Sequence, residues 1–131
     1  MDKAYHFILI DDSKLDGFIG EKVIHNTGRS LSVQVFTDAS LALEFIKQRP
    51  VDEKKTIVLV DILMPLMTGF DFIEAFLKDV PADKQDNYII NLLSSSINES
   101  DLIKSQSYPC VNTFLSKPIK KEMLVEILDK L

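Results

Sequence analysis

Carboxylate, hydroxyl and amine side chains stand at the points where short apolar runs of this sequence stop. Asp11 and Asp12 follow the run YHFILI, and Asp61 follows TIVLV. Ser94 opens a run of three serines after YIINLL, and Lys117 comes shortly after CVNTFL. A carboxylate at the end of a buried strand is costly to desolvate unless a partner compensates its charge. These side chains therefore either belong to ordinary polar loops and helix caps or converge on one site.

The combination of these groups favours the chemistry of phosphoryl transfer. Neighbouring carboxylates repel one another and raise each other's pKa, and a hard divalent cation such as Mg²⁺ removes that conflict. One carboxylate oxygen of Asp61 then remains free as a nucleophile, because aspartate can accept a phosphoryl group as an acyl phosphate. Phosphoryl transfer requires in-line positioning and positive charge on the phosphoryl oxygens. Lys117 can supply such a charge, and Ser94 can supply a hydroxyl donor.

Strand-like and helix-like segments alternate along the chain, so hydrophobic periodicity predicts the elements that carry these residues. Strands are predicted over residues 5–10, 31–36, 56–60, 88–93 and 110–115. Helices are predicted over residues 13–28, 38–50, 68–81, 98–107 and 120–131. A polar loop is predicted over 81–87. Five such βα units imply a doubly wound α/β fold, with a parallel sheet between two layers of helices. In such folds sites form beyond the carboxyl ends of the strands, where these polar side chains are expected to meet.

Apolar residues at helical spacing predict which helix faces pack on the sheet. In the first helix, Ser13 can cap the start and Gly28 can end it. The apolar residues predicted to share one face of that helix are Leu15, Phe18, Ile19 and Val23. The residues predicted to point inward from the third helix are Phe72, Ile73, Phe76 and Leu77.

Composition excludes several classes of protein. The chain has 131 residues and a formal net charge of −5, which suits one domain and argues against binding nucleic acid through its phosphates. Its single cysteine, Cys110, cannot form a disulfide within the chain, which fits a reducing compartment. The sequence has neither a signal peptide nor an apolar stretch near the ~20 residues that span a bilayer. We therefore expect a cytoplasmic protein with one domain over residues 1–131, no output domain and no membrane partner.

Four segments give the sequence a family resemblance: ILIDDS, VLVDILMPLMTGFDF, LLSSS and FLSKP. On these segments the chain resembles the response-regulator receiver domains of two-component phosphorelay systems, in particular stand-alone regulators of the chemotaxis type. The resemblance covers essentially the whole chain, and its most specific part is the pattern DxxMPxMxGF with a downstream Lys-Pro pair. It implies a flavodoxin-like (βα)5 three-layer sandwich with a parallel sheet of order 2-1-3-4-5.

The resemblance also implies a phosphoacceptor and a set of metal ligands. Asp61 matches the aspartate that accepts the phosphoryl group. Asp12 matches the carboxylate that binds Mg²⁺ directly, and Asp11 matches its partner, which acts directly or through water. The backbone carbonyl of Leu63, two residues after the acceptor, matches the third protein ligand of the ion.

Further roles are implied for the residues on the last two strands. Ser94 matches the Ser/Thr that bonds the phosphoryl group, with Ser95 as an alternative register because the serine run leaves one residue of slack. Lys117 matches the phosphate-binding lysine, and the Lys117–Pro118 peptide bond is cis in the family. Phe114 matches the aromatic residue that turns inward on phosphorylation. Without the family pattern, the same ring would be interpreted as part of the core.

The function implied by the resemblance is signal transduction. A sensor histidine kinase or a histidine phosphotransfer protein would donate the phosphoryl group to Asp61. The domain is then no enzyme in the usual sense, since it catalyses only this transfer and its own slow dephosphorylation. The face formed by the helix 98–107, the strand 110–115 and the helix 120–131 would change and bind a downstream protein. We expect a monomer that can dimerise on phosphorylation.

Three other functions compete with this interpretation. A phosphatase of the haloacid-dehalogenase type also uses an aspartate nucleophile, but Ser13 stands where its DxD pattern requires the second aspartate. A binding module without phosphorylation is opposed by the intact set of Asp12, Asp61 and Lys117. A flavodoxin-like cofactor site is disfavoured, because Asp11 and Asp12 would repel the phosphate that its first loop should hold.

Overall fold

A computed structural model describes residues 3–96 and 98–131 of the chain. Over these residues the chain forms five strands and six helices. The strands are β1 (Tyr5–Ile10), β2 (Ser30–Phe36), β3 (Thr56–Asp61), β4 (Tyr88–Ser94) and β5 (Val111–Ser116). The helices are α1 (Lys14–Asn26), α2 (Ala39–Gln48), α3 (Gly69–Asp79), α4 (Ala82–Gln85), α5 (Glu99–Gln106) and α6 (Lys121–Asp129). All neighbouring strands are parallel, in the order β2-β1-β3-β4-β5, which confirms the predicted flavodoxin-like (βα)5 fold.

The segment 81–87, predicted as a polar loop, contains the one-turn helix α4. The amides of Lys84 and Gln85 both donate to the Pro81 carbonyl, at 2.9 and 3.0 Å. The side-chain amide of Gln85 donates back to the Val80 carbonyl at 2.8 Å, so the turn is fastened to the end of α3. Because of this extra helix, the predicted helices 98–107 and 120–131 are α5 and α6.

Two hydrophobic clusters hold the three layers together. The larger cluster lies between the sheet and the helices α2 and α3, and the smaller one lies between the sheet and the helices α1 and α6. All six residues of β3 are buried, as the continuous apolar run in its sequence predicts for a central parallel strand. Within the described residues, no helix is long and apolar enough to cross a membrane.

Helix α1 packs on the sheet by its glycines rather than by its large apolar side chains. Its buried residues are Gly17, Gly20 and Ile24. A Cβ added at Gly20 would come within 2.7 Å of Leu9 Cδ2, so the helix lies too close to β1 for a side chain there. The prediction for this helix is therefore wrong in part. Three of the four residues predicted to share its packed face are exposed, namely Leu15, Phe18 and Ile19.

Helix α3 begins beside the end of β3 and is fixed there by a capping box. The Thr68 hydroxyl accepts from the Asp71 amide, and the Asp71 carboxylate accepts from the Thr68 amide. Its buried apolar residues are Phe70, Phe72, Ile73 and Phe76. Leu77, predicted to point inward, is exposed because it lies at the outer border of the apolar stripe.

Candidate functional site

The three aspartates predicted to form a metal site lie together at the carboxyl end of the sheet. Asp11 directly follows β1, and Asp61 is the last residue of β3, the neighbouring parallel strand. One carboxylate oxygen from each of Asp11, Asp12 and Asp61 lies within 4.8 Å of the others. Asp11 and Asp61 are only 2% and 6% exposed, whereas Asp12 is exposed. The three carboxylates therefore stand at the boundary between the core and solvent.

The ammonium group of Lys117 binds this group of carboxylates from the end of β5. Its Nζ lies 2.9 Å from an Asp11 oxygen and 3.0 Å from an Asp61 oxygen. A third carboxylate, that of Asp16, lies at 3.0 Å. Burial alone would lower the pKa of Lys117, but its hydrogen bonds to these three carboxylates outweigh burial and raise that pKa. Lys117 therefore remains an ammonium ion throughout the physiological range.

Backbone amides orient the two buried carboxylates. The Leu63 amide donates to Asp61 Oδ1 at 3.0 Å, and the Ser13 amide donates to Asp11 Oδ1 at 3.0 Å. In both residues the other oxygen, Oδ2, accepts from Lys117. Each carboxylate thus has one oxygen fixed by a backbone amide two residues downstream and one oxygen held by the Lys117 ammonium. The second oxygen can exchange its partner without any movement of the backbone.

Asp16 is a residue in contact with Lys117 that sequence reasoning missed. It lies in the first turn of α1, where an acidic residue is adequately explained by favourable interaction with the helix dipole. The available signal was its position one helical turn after the Asp11-Asp12 pair, which places it above the same rim. A contact with Lys117, 101 residues later, depends on how α1 and β5 are placed in three dimensions, and no local pattern predicts that.

Gly69 allows α3 to start against the end of β3. A Cβ at this position would lie 2.9 Å from the Asp61 carbonyl oxygen and 2.8 Å from the Ile62 Cα, both backbone atoms that cannot move aside. The Gly69 amide donates to the Ile62 carbonyl at 3.2 Å. The intervening loop exposes the side chains of Leu63 and Leu66, and Leu66 adopts a left-handed backbone conformation with φ of 70°. The Gly in the pattern DxxMPxMxGF is thus explained by close packing beside Asp61.

The two serines left as alternatives by the sequence have different environments. Leu93 is the register partner of Asp61, and since side chains alternate along a strand, Ser94 points to the opposite face of the sheet. Ser94 is fully buried, and its hydroxyl donates to the Ser96 carbonyl at 2.9 Å and accepts from the Ser96 amide at 3.1 Å. Ser95 is exposed and lines the cavity beside the carboxylates. Which of the two serines would contact a phosphoryl group stays a prediction, with Ser94 as the first assignment and Ser95 as the alternative register.

The cavity beside the carboxylates has a volume of about 310 Å³ and opens between α1 and the segment after β5. Its polar lining includes Asp11, Asp16, Ser95 and Lys117. Pro118 follows Lys117 in the cavity wall, and the peptide bond between them is cis. Of the carboxylates bound to Lys117, the cavity thus reaches Asp11 and Asp16, and its lining does not include Asp61.

Phe114 lies three residues before Lys117 in β5 and points away from the carboxylates. It is half-buried and packs against the cluster between the sheet and the helices α2 and α3. Its register partner in β4 is Leu92, two residues before Ser94. Phe114 is therefore a partly accessible ring near the end of the strand that carries the site lysine.

The donor set at the carboxyl end fits a magnesium ion. Carboxylate oxygens are the protein ligands that Mg²⁺ prefers, and one or two of them with water molecules complete its shell. Asp11, Asp12 and Asp61 can each present such an oxygen within 4.8 Å of the others. The Leu63 peptide adjoins Asp61 through its amide, so its carbonyl belongs to the same turn. The residues present thus fit the ion implied by the resemblance.

Comparison with known proteins agrees with this geometry. Residues 7–129 match the family described as the response regulator receiver domain. A response regulator receiver protein from Dyadobacter fermentans is 29% identical, with a TM-score of 0.89 and 97% of each chain covered. A two-component response regulator from Cytophaga hutchinsonii is 27% identical, with a TM-score of 0.86 and coverage of 98% of this chain and 96% of that one.

A chemotaxis protein from Vibrio cholerae, CheY4, shares the fold, with 20% identity, a TM-score of 0.77 and coverage of 97% of this chain and 98% of that chain. A search among curated proteins gave no match. The family match covers nearly the whole chain, and the fold, the strand order and the carboxylate rim all agree with it. The chain therefore belongs to the response regulator receiver domains, the signalling domains of two-component systems.

Proposed function

We propose that Asp61 accepts a phosphoryl group from the phosphohistidine of a sensor histidine kinase or a histidine phosphotransfer protein. In this step an Asp61 carboxylate oxygen forms a bond to phosphorus while the phosphorus–nitrogen bond of the donor breaks, and the imidazole nitrogen keeps the bonding electron pair. The observation that carries the proposal is the state of Asp61. Its carboxylate is nearly buried, one oxygen is fixed by the Leu63 amide, and the other is held only by Lys117.

The same proposal assigns Asp11, Asp12, Asp61 and the Leu63 carbonyl as ligands of Mg²⁺. When bound, the ion would offset the repulsion among the carboxylates and neutralise charge on the phosphoryl oxygens. The support from this chain is the closeness of three carboxylate oxygens, within 4.8 Å, at a rim open to solvent on the Asp12 side. Lys117 now supplies the positive charge between two of these carboxylates.

Two further side chains would bind the transferred group. Lys117 would donate to a phosphoryl oxygen in place of its present bond to Asp61. Ser95 would donate its hydroxyl from the cavity wall, in preference to Ser94, whose hydroxyl is already bonded to Ser96. Hydrogen bonds with one charged partner are about twice as strong as neutral ones, so they can hold the group firmly.

Phosphorylation would be transmitted to the face formed by α5, β5 and α6. Movement of the loop after β4 toward the phosphoryl group would vacate space beside Phe114, whose ring is half-buried and can turn inward. The altered face would then bind a downstream protein. Shifting such an equilibrium from almost wholly inactive to almost wholly active takes about 5.5 kcal/mol of differential stabilisation.

The test is the intact mass of the protein after incubation with acetyl phosphate and Mg²⁺. We expect one added phosphoryl group on the wild type, no addition on Asp61→Asn, and no addition when the metal is chelated. Asp79→Asn is the matched control, because it makes the same chemical change at an exposed position at the far end of α3.

Two results would contradict the proposal. Addition to Asp61→Asn would move the acceptor elsewhere. Failure of the wild type to take up the group from acetyl phosphate, together with failure to bind beryllofluoride in the presence of Mg²⁺, would leave a binding module that is not phosphorylated.

A further inference from the structure

The Lys117 ammonium donates hydrogen bonds to Asp11 and Asp61 and forms an ion pair with Asp16. A lysine ammonium has three N–H donors, and here three carboxylate oxygens lie within 3.0 Å of it. Two of the carboxylates, Asp11 and Asp61, belong to the proposed metal site. The third, Asp16, does not belong to that group of ligand atoms. Asp16 is therefore an additional negative charge that contacts the lysine but has no role in the chemistry assigned so far.

The local structure directs the Asp16 side chain toward the lysine. Asp16 is the third residue of α1, the position from which an acidic side chain usually reaches back to the amide of the capping residue. That amide belongs to Ser13 and already donates to Asp11 at 3.0 Å. The Ser13 hydroxyl accepts from the Asp16 amide at 3.2 Å, which fixes the first turn of the helix. The Asp16 carboxylate is thereby left to bind Lys117.

The glycines of α1 bring this carboxylate close enough for the contact. Gly17 and Gly20 lie against the sheet, where an added Cβ would approach side chains of Val35 and Leu9 at 3.1 and 2.7 Å. The first turn of the helix therefore stands directly over the rim of the sheet. The Asp16 side chain keeps 44% exposure, so it remains in contact with solvent while it binds the lysine.

We propose that Asp16 is a positioning residue that holds Lys117 in the unphosphorylated site and opposes the accumulation of negative charge at Asp61. This inference rests on the proposed function. An incoming phosphoryl group must share the ammonium with Asp16, and its negative charge is repelled by the Asp16 carboxylate. Asp16 would therefore slow phosphorylation and lower the phosphorylated fraction at a given concentration of donor.

The same charge has the opposite effect on the metal. Removing a carboxylate close to Asp11 and Asp61 makes the rim less negative, so Mg²⁺ should bind less tightly. A loss that was only structural would weaken metal binding and phosphorylation together. Opposite changes in the two quantities are therefore the signature of the charge itself.

The experiment compares the wild type with Asp16→Asn, Asp16→Glu and the control Glu21→Gln. Glu21 lies on the same helix with similar exposure, 41%, and its partner is His25. We expect Asp16→Asn to be phosphorylated by acetyl phosphate roughly three- to tenfold faster than the wild type and to bind Mg²⁺ more weakly, as suits a half-exposed charge. Asp16→Glu should restore most of the wild-type rate, and Glu21→Gln should match the wild type.

Rates are measured by intact mass at saturating Mg²⁺, metal affinity by calorimetry, and folding by thermal melting. The difference between Asp16→Asn and the wild type should shrink as the salt concentration rises, since exposed charges are screened. An Asp16→Asn rate equal to or below that of the wild type would overturn this inference and leave the proposed function intact. A wild type that takes up no phosphoryl group would contradict the proposed function itself, and this inference with it.

Discussion

The two ends of the sheet use charged residues in different ways. At the amino end, Arg29 and His6 each contact one carboxylate. Arg29, which is nearly buried, binds Asp129 of α6 at 2.6 Å and the Lys3 carbonyl at 2.9 Å. His6 lies 3.0 Å from an Asp52 oxygen. The carboxylates of Asp52 and Asp129 are both exposed to solvent, so water can hydrate their unpaired oxygens.

At the carboxyl end one cation serves three carboxylates. Lys117 contacts Asp11, Asp16 and Asp61, and Asp12 adds a fourth negative charge nearby. Two of the carboxylates are almost fully buried, an arrangement that costs free energy unless it is compensated. Carboxylates thus outnumber the cation that contacts them only at the carboxyl end of these two, which is the end where we propose metal binding and phosphorylation.

The largest effect is expected from Lys117→Ala. Removing the lysine leaves Asp11 and Asp61 buried without a counter-charge, which should lower the free energy of unfolding by about 3–5 kcal/mol. Mg²⁺ should restore much of this loss, since it supplies positive charge to the same oxygens. Urea unfolding with and without Mg²⁺ measures both, and Lys130→Ala, an exposed lysine, is the control. A loss that Mg²⁺ does not reduce would mean that lysine and metal do not share this site.

Arg29→Ala should have a smaller effect that does not depend on the metal. The substitution removes the link between the start of β2 and the end of α6, and leaves an Asp129 carboxylate that solvent can hydrate. We expect a loss of about 1–3 kcal/mol in the free energy of unfolding, equal with and without Mg²⁺. If Mg²⁺ restored this loss, the metal would affect stability at both ends of the sheet, and the two ends would no longer differ in this respect.

Substitutions of Ser94 and Ser95 test which hydroxyl at the carboxyl end contacts the phosphoryl group. Ser95→Ala should slow phosphorylation by acetyl phosphate about tenfold, the value of one charge-assisted hydrogen bond of roughly 1.4 kcal/mol. Ser94→Ala should instead lower the melting temperature, because it removes the buried bonds to Ser96 and leaves the chemistry in place. The reverse result, with Ser94→Ala the slower protein, would assign the phosphoryl contact to Ser94.

The smallest effect is expected at the exposed pair of the amino end. The pKa of Asp52 is lowered, first by the hydrogen bond from the Lys54 amide and then by His6. A lowered carboxyl pKa contributes stability above the ordinary value of 3.8, and that contribution is lost as the pH falls through the lowered pKa. Asp52→Asn should thus melt slightly below the wild type at pH 7, and the difference should shrink as the pH falls below 3.8 and through the lowered pKa. A difference that does not shrink over this range would have another cause.

The strands and the residues at their ends were predictable because their causes are local. A run such as TIVLV must be buried, and an aspartate behind it must lie at the rim of a parallel sheet. The same reasoning placed Asp11, Asp12 and Lys117, since parallel strands bring all their carboxyl ends to one edge. The cap of α1 at Ser13 and the turn at Gly28 also have local causes, and the structure has both.

The features that could not be predicted depend on distances between elements. Large apolar residues in α1 suggested a packed face, but the close approach to β1 permits only Gly17 and Gly20 there. The sequence placed Asp16 in its helix, but it could not predict the contact of Asp16 with Lys117 at the end of a distant strand. The serine register depends on how Asp61 pairs with Leu93, which the spacing of the segments leaves undetermined.

The sequence pattern also did not predict the partners of a buried polar residue in β4, Asn91. Asn91 lies at the centre of an apolar run and is fully buried, at the point where the pairing register of β4 with β5 shifts. Its oxygen accepts from Thr113 at 2.8 Å and from Asn112 at 3.2 Å. Its amide nitrogen donates to the Val58 carbonyl of β3 and to the Ile89 carbonyl of its own strand. The partners on the other strands become visible only once the sheet is assembled.

The identity of the phosphorylated residue tests the central claim most directly. Borohydride reduces the acyl phosphate of aspartate to homoserine, which is stable to digestion, so the acceptor can be located by peptide mass spectrometry after treatment with donor and Mg²⁺. We predict homoserine at position 61, in the peptide from Thr56 to Lys78, and an unmodified Asp71 in the same peptide. Homoserine at Asp11, Asp12 or Asp71 with an intact Asp61 would contradict the account.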